Sequence, residues 1–162
     1  GNDVSGCNSP YARSYGLYCD GARDVIFENN IAHESQGGIE IGSENIYPDH
    51  PVKNIIVRNN LVYGNTQKGI AVGGYNPEVA GIVYNVEIYN NTIVDNGTSS
   101  GGQLSLAYVD GVKVFNNIFY VSDNSKYSLL LGWTNPRIWA CKNCPLSPTT
   151  FLVPYSGSPT NG

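Results

Sequence analysis

A pair of adjacent asparagines set in a fixed apolar pattern recurs four times in this chain, and that recurrence constrains the fold more than any other feature. The copies are 24–33, 53–63, 85–94 and 111–120, and the first Asn of each pair falls at 29, 59, 90 and 116. A period of 26 to 31 residues belongs to solenoids, in which each repeat is one supersecondary unit that buries its apolar side only against its neighbours. Before each pair, strict alternation puts Val25 and Phe27, Ile55 and Val57, Val86 and Ile88, and Val112 and Val114 on one side. This is the period of a strand, not of a helix. A second short apolar alternation lies upstream in each repeat: Leu17 and Cys19, Ile39 and Ile41, Ile70 and Val72, Leu104 and Leu106, Leu129 and Leu131, four of them preceded by Gly16, Gly38, Gly69 and Gly102.

Two or three short strands per turn, punctuated by Gly and Asn, describe an all-β chain wound as a right-handed parallel β-helix solenoid of about five coils. The Asn pairs, the alternating strands and their glycine starts resemble the pectate-lyase-like β-helix superfamily over roughly residues 16 to 133. That resemblance implies a ladder of turn asparagines whose side-chain amides bond from coil to coil. Asn also tolerates the left-handed backbone of a sharp turn, and Asn29, Asn59, Asn90 and Asn116 are expected to form the ladder. On the outer side, Glu28 should neighbour Arg58, Glu87 should neighbour Lys113, and Tyr89 should stack on Phe115, one coil apart. His33 should face the column of Tyr63 and Tyr120 as a packed edge residue.

The expected organisation is an irregular leading segment (1–15), a β-helix domain (16–140) and a C-terminal cap and tail (141–162), the last rich in Pro, Ser and Gly. Val4 and the residues after it match the end of a coil, so an N-terminal segment, or another copy of the chain, is expected to cap the open coil. With 9 basic against 13 acidic residues there is no basic stripe for nucleic acid, and no apolar run approaches a membrane span. Four cysteines could hold zinc, but four coils at roughly 4.8 Å would separate the two pairs by about 19 Å. Two local disulfides, Cys7 with Cys19 and Cys141 with Cys144, fit better and point to a secreted, extracellular protein.

The outward column of the upstream strand carries Asp20, Gly42, Gly73, Ala107 and Gly132, a floor of small residues. Beside it fall Glu44, Tyr75, Tyr108 and Trp133, next to enlarged corners at 43–51, which includes His50, and 73–81. Aromatic faces beside a shallow floor suit a sugar ring, so Tyr75, Tyr108, Trp133 and His50 are candidate substrate contacts. Asp20, Glu40 and Glu44 share one face over two coils, where they could hold Ca²⁺ or act as an acid and base pair. The segment Gly37-Gly38-Ile39-Glu40-Ile41-Gly42 resembles a coil of chondroitinase B and of alginate lyases of that type, with Ile39 where their pattern has Glu. That resemblance implies Lys68 as a catalytic base near a Ca²⁺-binding acidic group. The expected function is that of a polysaccharide lyase or glycoside hydrolase acting on an acidic or plant-type polysaccharide. The alternative is a non-catalytic glycan-binding or self-assembling β-helix, and the more acidic than basic face weighs against the lyase.

Overall fold

The computed structural model describes residues 1–44, 51–74, 81–98 and 101–122, together with the strand backbones of 127–131 and 151–153. In chain order the strands are β1 (Asp3–Ser5), β2 (Tyr15–Asp20), β3 (Arg23–Glu28), β4 (Ile31–His33), β5 (Gly37–Gly42), β6 (Val52–Arg58), β7 (Leu61–Tyr63) and β8 (Lys68–Val72). They continue as β9 (Val83–Tyr89), β10 (Thr92–Val94), β11 (Gly102–Leu106), β12 (Val109–Asp110), β13 (Lys113–Phe115), β14 (Ile118–Tyr120), β15 (Tyr127–Leu131) and β16 (Phe151–Val153).

Every pairing is parallel and joins a strand to its counterpart one coil on, giving three sheets: β1-β4-β7-β10-β14-β16, β2-β5-β8-β11-β15, and β3-β6-β9 with β12 and β13 both on β9. The fold is the parallel β-solenoid that the repeat predicts. Four coils carry a strand in all three sheets, slightly fewer than the about five expected. Val4 pairs with Ala32, which pairs with Val62, so the leading segment does contain a coil end. Within the expected cap and tail, Phe151–Val153 adds a sixth strand to the first sheet.

The interior is a tube one side chain deep. Ile39, Ile41, Ile55, Val57, Ile70, Val86, Ile88 and Leu104 are fully buried and stack coil on coil. The outward pairs also fall as the register requires. Arg58 meets Glu28 at 2.6 Å and donates to the Tyr89 hydroxyl at 3.1 Å, Lys113 meets Glu87 at 2.8 Å, and Tyr89 stacks on Phe115 at 4.8 Å. His33 stacks on Tyr63 at 4.8 Å and pairs with Asp3 at 3.0 Å.

The ladder runs through the second asparagine of each pair, not the first. Asn29, Asn59, Asn90 and Asn116 have φ between 54° and 57° and lie exposed at the turn. That left-handed turn is their role. Asn30, Asn60, Asn91 and Asn117 are buried, each Oδ1 accepting the N–H and the Nδ2 of the asparagine one coil back at 2.9–3.0 Å. Asn90, the first residue of an Asn90-Asn91-Thr92 sequon, is therefore open to solvent.

A second ladder, Ser35-Asn65-Asn96, runs along the turn before the β5 sheet. A Cβ at Gly38 would run into Val62 Cγ1 and the Gly69 carbonyl before it reached Asn65 Nδ2 at 3.1 Å, and one at Gly69 would meet the Gln103 carbonyl at 2.5 Å and Ile93 Cγ2 at 2.8 Å before Asn96 Nδ2 at 2.9 Å, so the close approach of the next coil keeps both positions bare. The same register position on β11 is Gln103. Its Oε1 accepts Asn96 N–H and Nδ2 at 3.0 and 2.8 Å, and its Nε2 donates to Asn96 O at 3.0 Å, which closes the ladder.

Candidate functional site

The outer face of the sheet built from β2, β5, β8 and β11 carries a cleft of about 320 Å³. Its floor is Gly42, Ala71, Gly73, Ser105 and Ala107, the small outward residues of three successive coils, as the alternation predicts. Arg13 and Lys68 stand at the end where the strands begin, Glu40 rises from the second coil, and Glu44 stands where the strands end. The structure thus gathers Glu40, Glu44 and Lys68 in one cleft.

Burial governs the electrostatics. Glu40 is half-buried, and loss of water pushes its carboxyl up to about 7; Glu44 and Asp20 add to the rise, while Lys68 and Arg13 oppose it. Burial also pulls the Lys68 amine below its ordinary value, the Arg13 charge adds to that, and Glu40 works against it. An acid protonated near neutrality and an amine that gives up its proton more easily than usual therefore share one groove. These are the properties that proton transfer near neutral pH requires.

Two tyrosines frame this end of the sheet, and each rests on a glycine. A Cβ at Gly37 would run into the ring of Tyr15, and one at Gly42 would lie 3.0 Å from Tyr18 Cε2. Burial, then the nearby Glu40 charge, raise the Tyr15 hydroxyl, which is itself buried and has no hydrogen-bond partner. Neither Arg13 nor Tyr15 stands out in the sequence, since both precede the first repeat. The one available signal is the doubled glycine Gly37-Gly38.

Other expected residues fall differently. Asp20 is exposed, and its Oδ1 accepts the backbone N–H of Glu44 at 3.0 Å, so it braces the rim of the cleft. Among the described residues no three His, Cys, Asp or Glu side chains are grouped to hold a metal ion. Tyr108 has φ 55° at the turn between β11 and β12 and does not line the cleft. Tyr75, His50, Trp133, Cys141 and Cys144 lie outside the described residues.

The Cys7–Cys19 disulfide is not formed, both thiols being free. Cys7 sits beside the turn that leads into β5, with its N–H on Ser35 Oγ and its carbonyl accepting from Gln36. Cys19 is near the far end of β2, four residues past Tyr15 and packed against the core. That offset is roughly 13 Å along a strand, beyond the reach of a disulfide. Burial raises the Cys19 thiol to about 11. Among the described residues no helix is long and apolar enough to cross a membrane.

A family model described as a right handed beta helix region matches residues 1–81, half of the chain. Over 95 residues the chain is 36% identical to "Uncharacterized protein YwoF" of Bacillus subtilis (strain 168), an alignment covering 57% of this chain and 20% of that protein. The chain therefore spans about a fifth of the length of this relative. No solved structure matches.

Proposed function

Since the chain belongs to the family of right-handed β-helix regions, we propose that it is a carbohydrate-active member that binds an acidic, uronate-containing polysaccharide in the cleft and cleaves it by β-elimination. The observation that carries this reading is Arg13 and Lys68 standing beside Glu40 over a floor of small residues. The cationic end supplies the subsite that a uronate needs and that the sequence alone did not reveal. Arg13 faces the uronate carboxylate and stabilises the charge that develops on it in the transition state. Lys68 Nζ takes the C5 proton, the C–H electron pair becomes the C4–C5 double bond, the C4–O4 bond breaks, and Glu40 protonates the departing O4. The Lys68 proton then returns to Glu40 through solvent.

Such substrates lie outside cells, so secretion follows from the substrate and not from the cysteines. A second reading is hydrolysis with Glu40 as general acid, favoured by its carboxyl near 7 and by Glu44 in the same cleft. Polygalacturonate, alginate, chondroitin sulfate and neutral xylan, each with and without Ca²⁺, separate these. β-Elimination gives the ultraviolet band of an unsaturated uronate together with new reducing ends, lost in Lys68→Ala. Hydrolysis gives reducing ends without the band. A purely binding β-helix retains glycan and cleaves nothing, and failure to retain any of the four glycans sinks the reading.

A further inference from the structure

Only two buried side-chain polar atoms lack a hydrogen-bond partner among the described residues, and one of them is the Tyr15 hydroxyl beside the cleft. A buried hydroxyl without a partner is costly, and its retention calls for a reason. Its place is also fixed. The ring lies over Gly37, whose register neighbours are Tyr15 itself and Lys68, so any side chain at Gly37 would expel it. The ring thus crosses from β2 onto the strand that carries Glu40, which follows Gly37 along β5, and the Glu40 charge is among the causes that raise the hydroxyl.

We propose that the Tyr15 hydroxyl is the donor reserved for the ionised Glu40 carboxylate, holding it over the cleft once it has given up its proton. Tyr15 is then a positioning residue, acting through Glu40 and not on the substrate. The idea rests on the cleft being the glycan site, because only a Glu40 that cycles between acid and carboxylate needs a donor that stands empty in one of the two states. The acid form of Glu40 is the weaker acceptor and leaves the hydroxyl idle. The carboxylate accepts from it after a side-chain rotation, as a charge-assisted hydrogen bond. The other charged or titratable groups around Glu40 are Lys68, Glu44, Arg13 and Asp20, with Tyr18 and Cys19 on the adjoining strand.

Carbon-13 NMR titration tests this without any glycan. In the wild-type protein the Tyr15 Cζ resonance should step at the pH where the Glu40 carboxyl titrates, and the step should vanish in Glu40→Gln. In Tyr15→Phe the Glu40 midpoint should move up by about one pH unit, the tenfold change that loss of one such hydrogen bond brings. A Cζ resonance that stays flat through the Glu40 titration overturns the proposal. So does a Tyr15→Phe protein with a higher melting temperature and an unmoved midpoint, which marks the hydroxyl as an orphan in every state. If Tyr15→Phe does not fold, the Glu40→Gln arm decides alone. Because neither arm uses substrate, absence of glycan binding would remove the proposed function and leave this pairing separately decided. Conversely, wild-type cleavage with an unmoved Glu40 midpoint in Tyr15→Phe removes only the pairing.

Discussion

Replacing Asn91 by Ala is the sharpest test of how the coils are held, provided Asn90→Ala is measured beside it. Asn91 is buried, and its Oδ1 takes both the N–H and the Nδ2 of Asn60 at 3.0 and 2.9 Å. Its Nδ2 donates to Val57 O, Tyr89 O and Asn117 Oδ1 at 2.9–3.1 Å. Truncation leaves partners with unequal fates. Asn60 Nδ2 keeps its bond to Phe27 O, and Asn117 Oδ1 keeps the Asn91 N–H, whereas the Asn60 N–H loses its acceptor and the Val57 carbonyl loses a donor, both inside the tube. At about 1–3 kcal/mol for each of the two buried groups left unsatisfied, the cost is about 2–6 kcal/mol. That is a large share of the roughly 5–15 kcal/mol that holds a domain folded. Asn90 stands one residue earlier with φ 55° and its side chain in water. Ala there costs only the left-handed strain that Asn relieves, about 1 kcal/mol. Urea unfolding followed by circular dichroism, compared at equal slope, measures the two. Equal losses, or less than about 1 kcal/mol at Asn91, would refute the assignment of the ladder to the inner asparagine.

Gln103→Gly restores the residue type found at the same position in the two preceding coils, yet it should destabilise by about 2–4 kcal/mol, because Asn96 loses the acceptor on its buried N–H and the donor on its carbonyl. A neutral result in the same urea assay would mean that the glycines mark space alone. Glu40→Gln tests the burial of the acid. A carboxyl raised to about 7 in the folded chain, against its ordinary value of 4.5, favours folding below the lower value and loses that advantage as pH rises through the upper one. The variant should therefore match the wild type near pH 4 and exceed its stability above pH 7. Complete burial would make the gap about 3 kcal/mol, and water around the partly exposed side chain reduces it to about 1–2 kcal/mol. A gap independent of pH, in melting curves taken across that range, removes the case for a buried acid.

The winding was legible because two alternations a fixed distance apart leave a tube as the only place to bury both. Inward Ile55 and Val57 and outward Glu28 and Arg58 follow from counting by two, and both fall where the count puts them. The expected ladder put the left-handed turn and the ladder amide on the same asparagine, and the structure divides them between the two. After Phe27 and Glu28 the next inward position is Asn29, but a residue at φ 57° turns the chain and passes the inward direction to Asn30. The pair carries two identical side chains, so composition could not show which of them carried the ladder. The same slip recurs at the glycines. Gly38 and Gly69 stand in the outward parity of Glu40, yet their missing side chains open onto the inner ladder, as the buried Gln103 shows at that position.

Site residues divided along the same line. Glu40, Glu44 and Lys68 lie within or beside repeat strands, and the register carries them into one cleft. Arg13 and Tyr15 precede the repeat, where there is no period to count from. The doubled glycine at 37 and 38 is where the two kinds of information meet. Gly38 is bare because the Gly69 carbonyl of the next coil and the Val62 side chain close over it, and Gly37 is bare where the ring of Tyr15 from the preceding coil lies across it. The close stacking of one coil on the next accounts for Gly38, and for Gly69 at the same position one coil later. It does not account for Gly37, since that position is Lys68 one coil later, and the space there is the one that the Tyr15 ring fills.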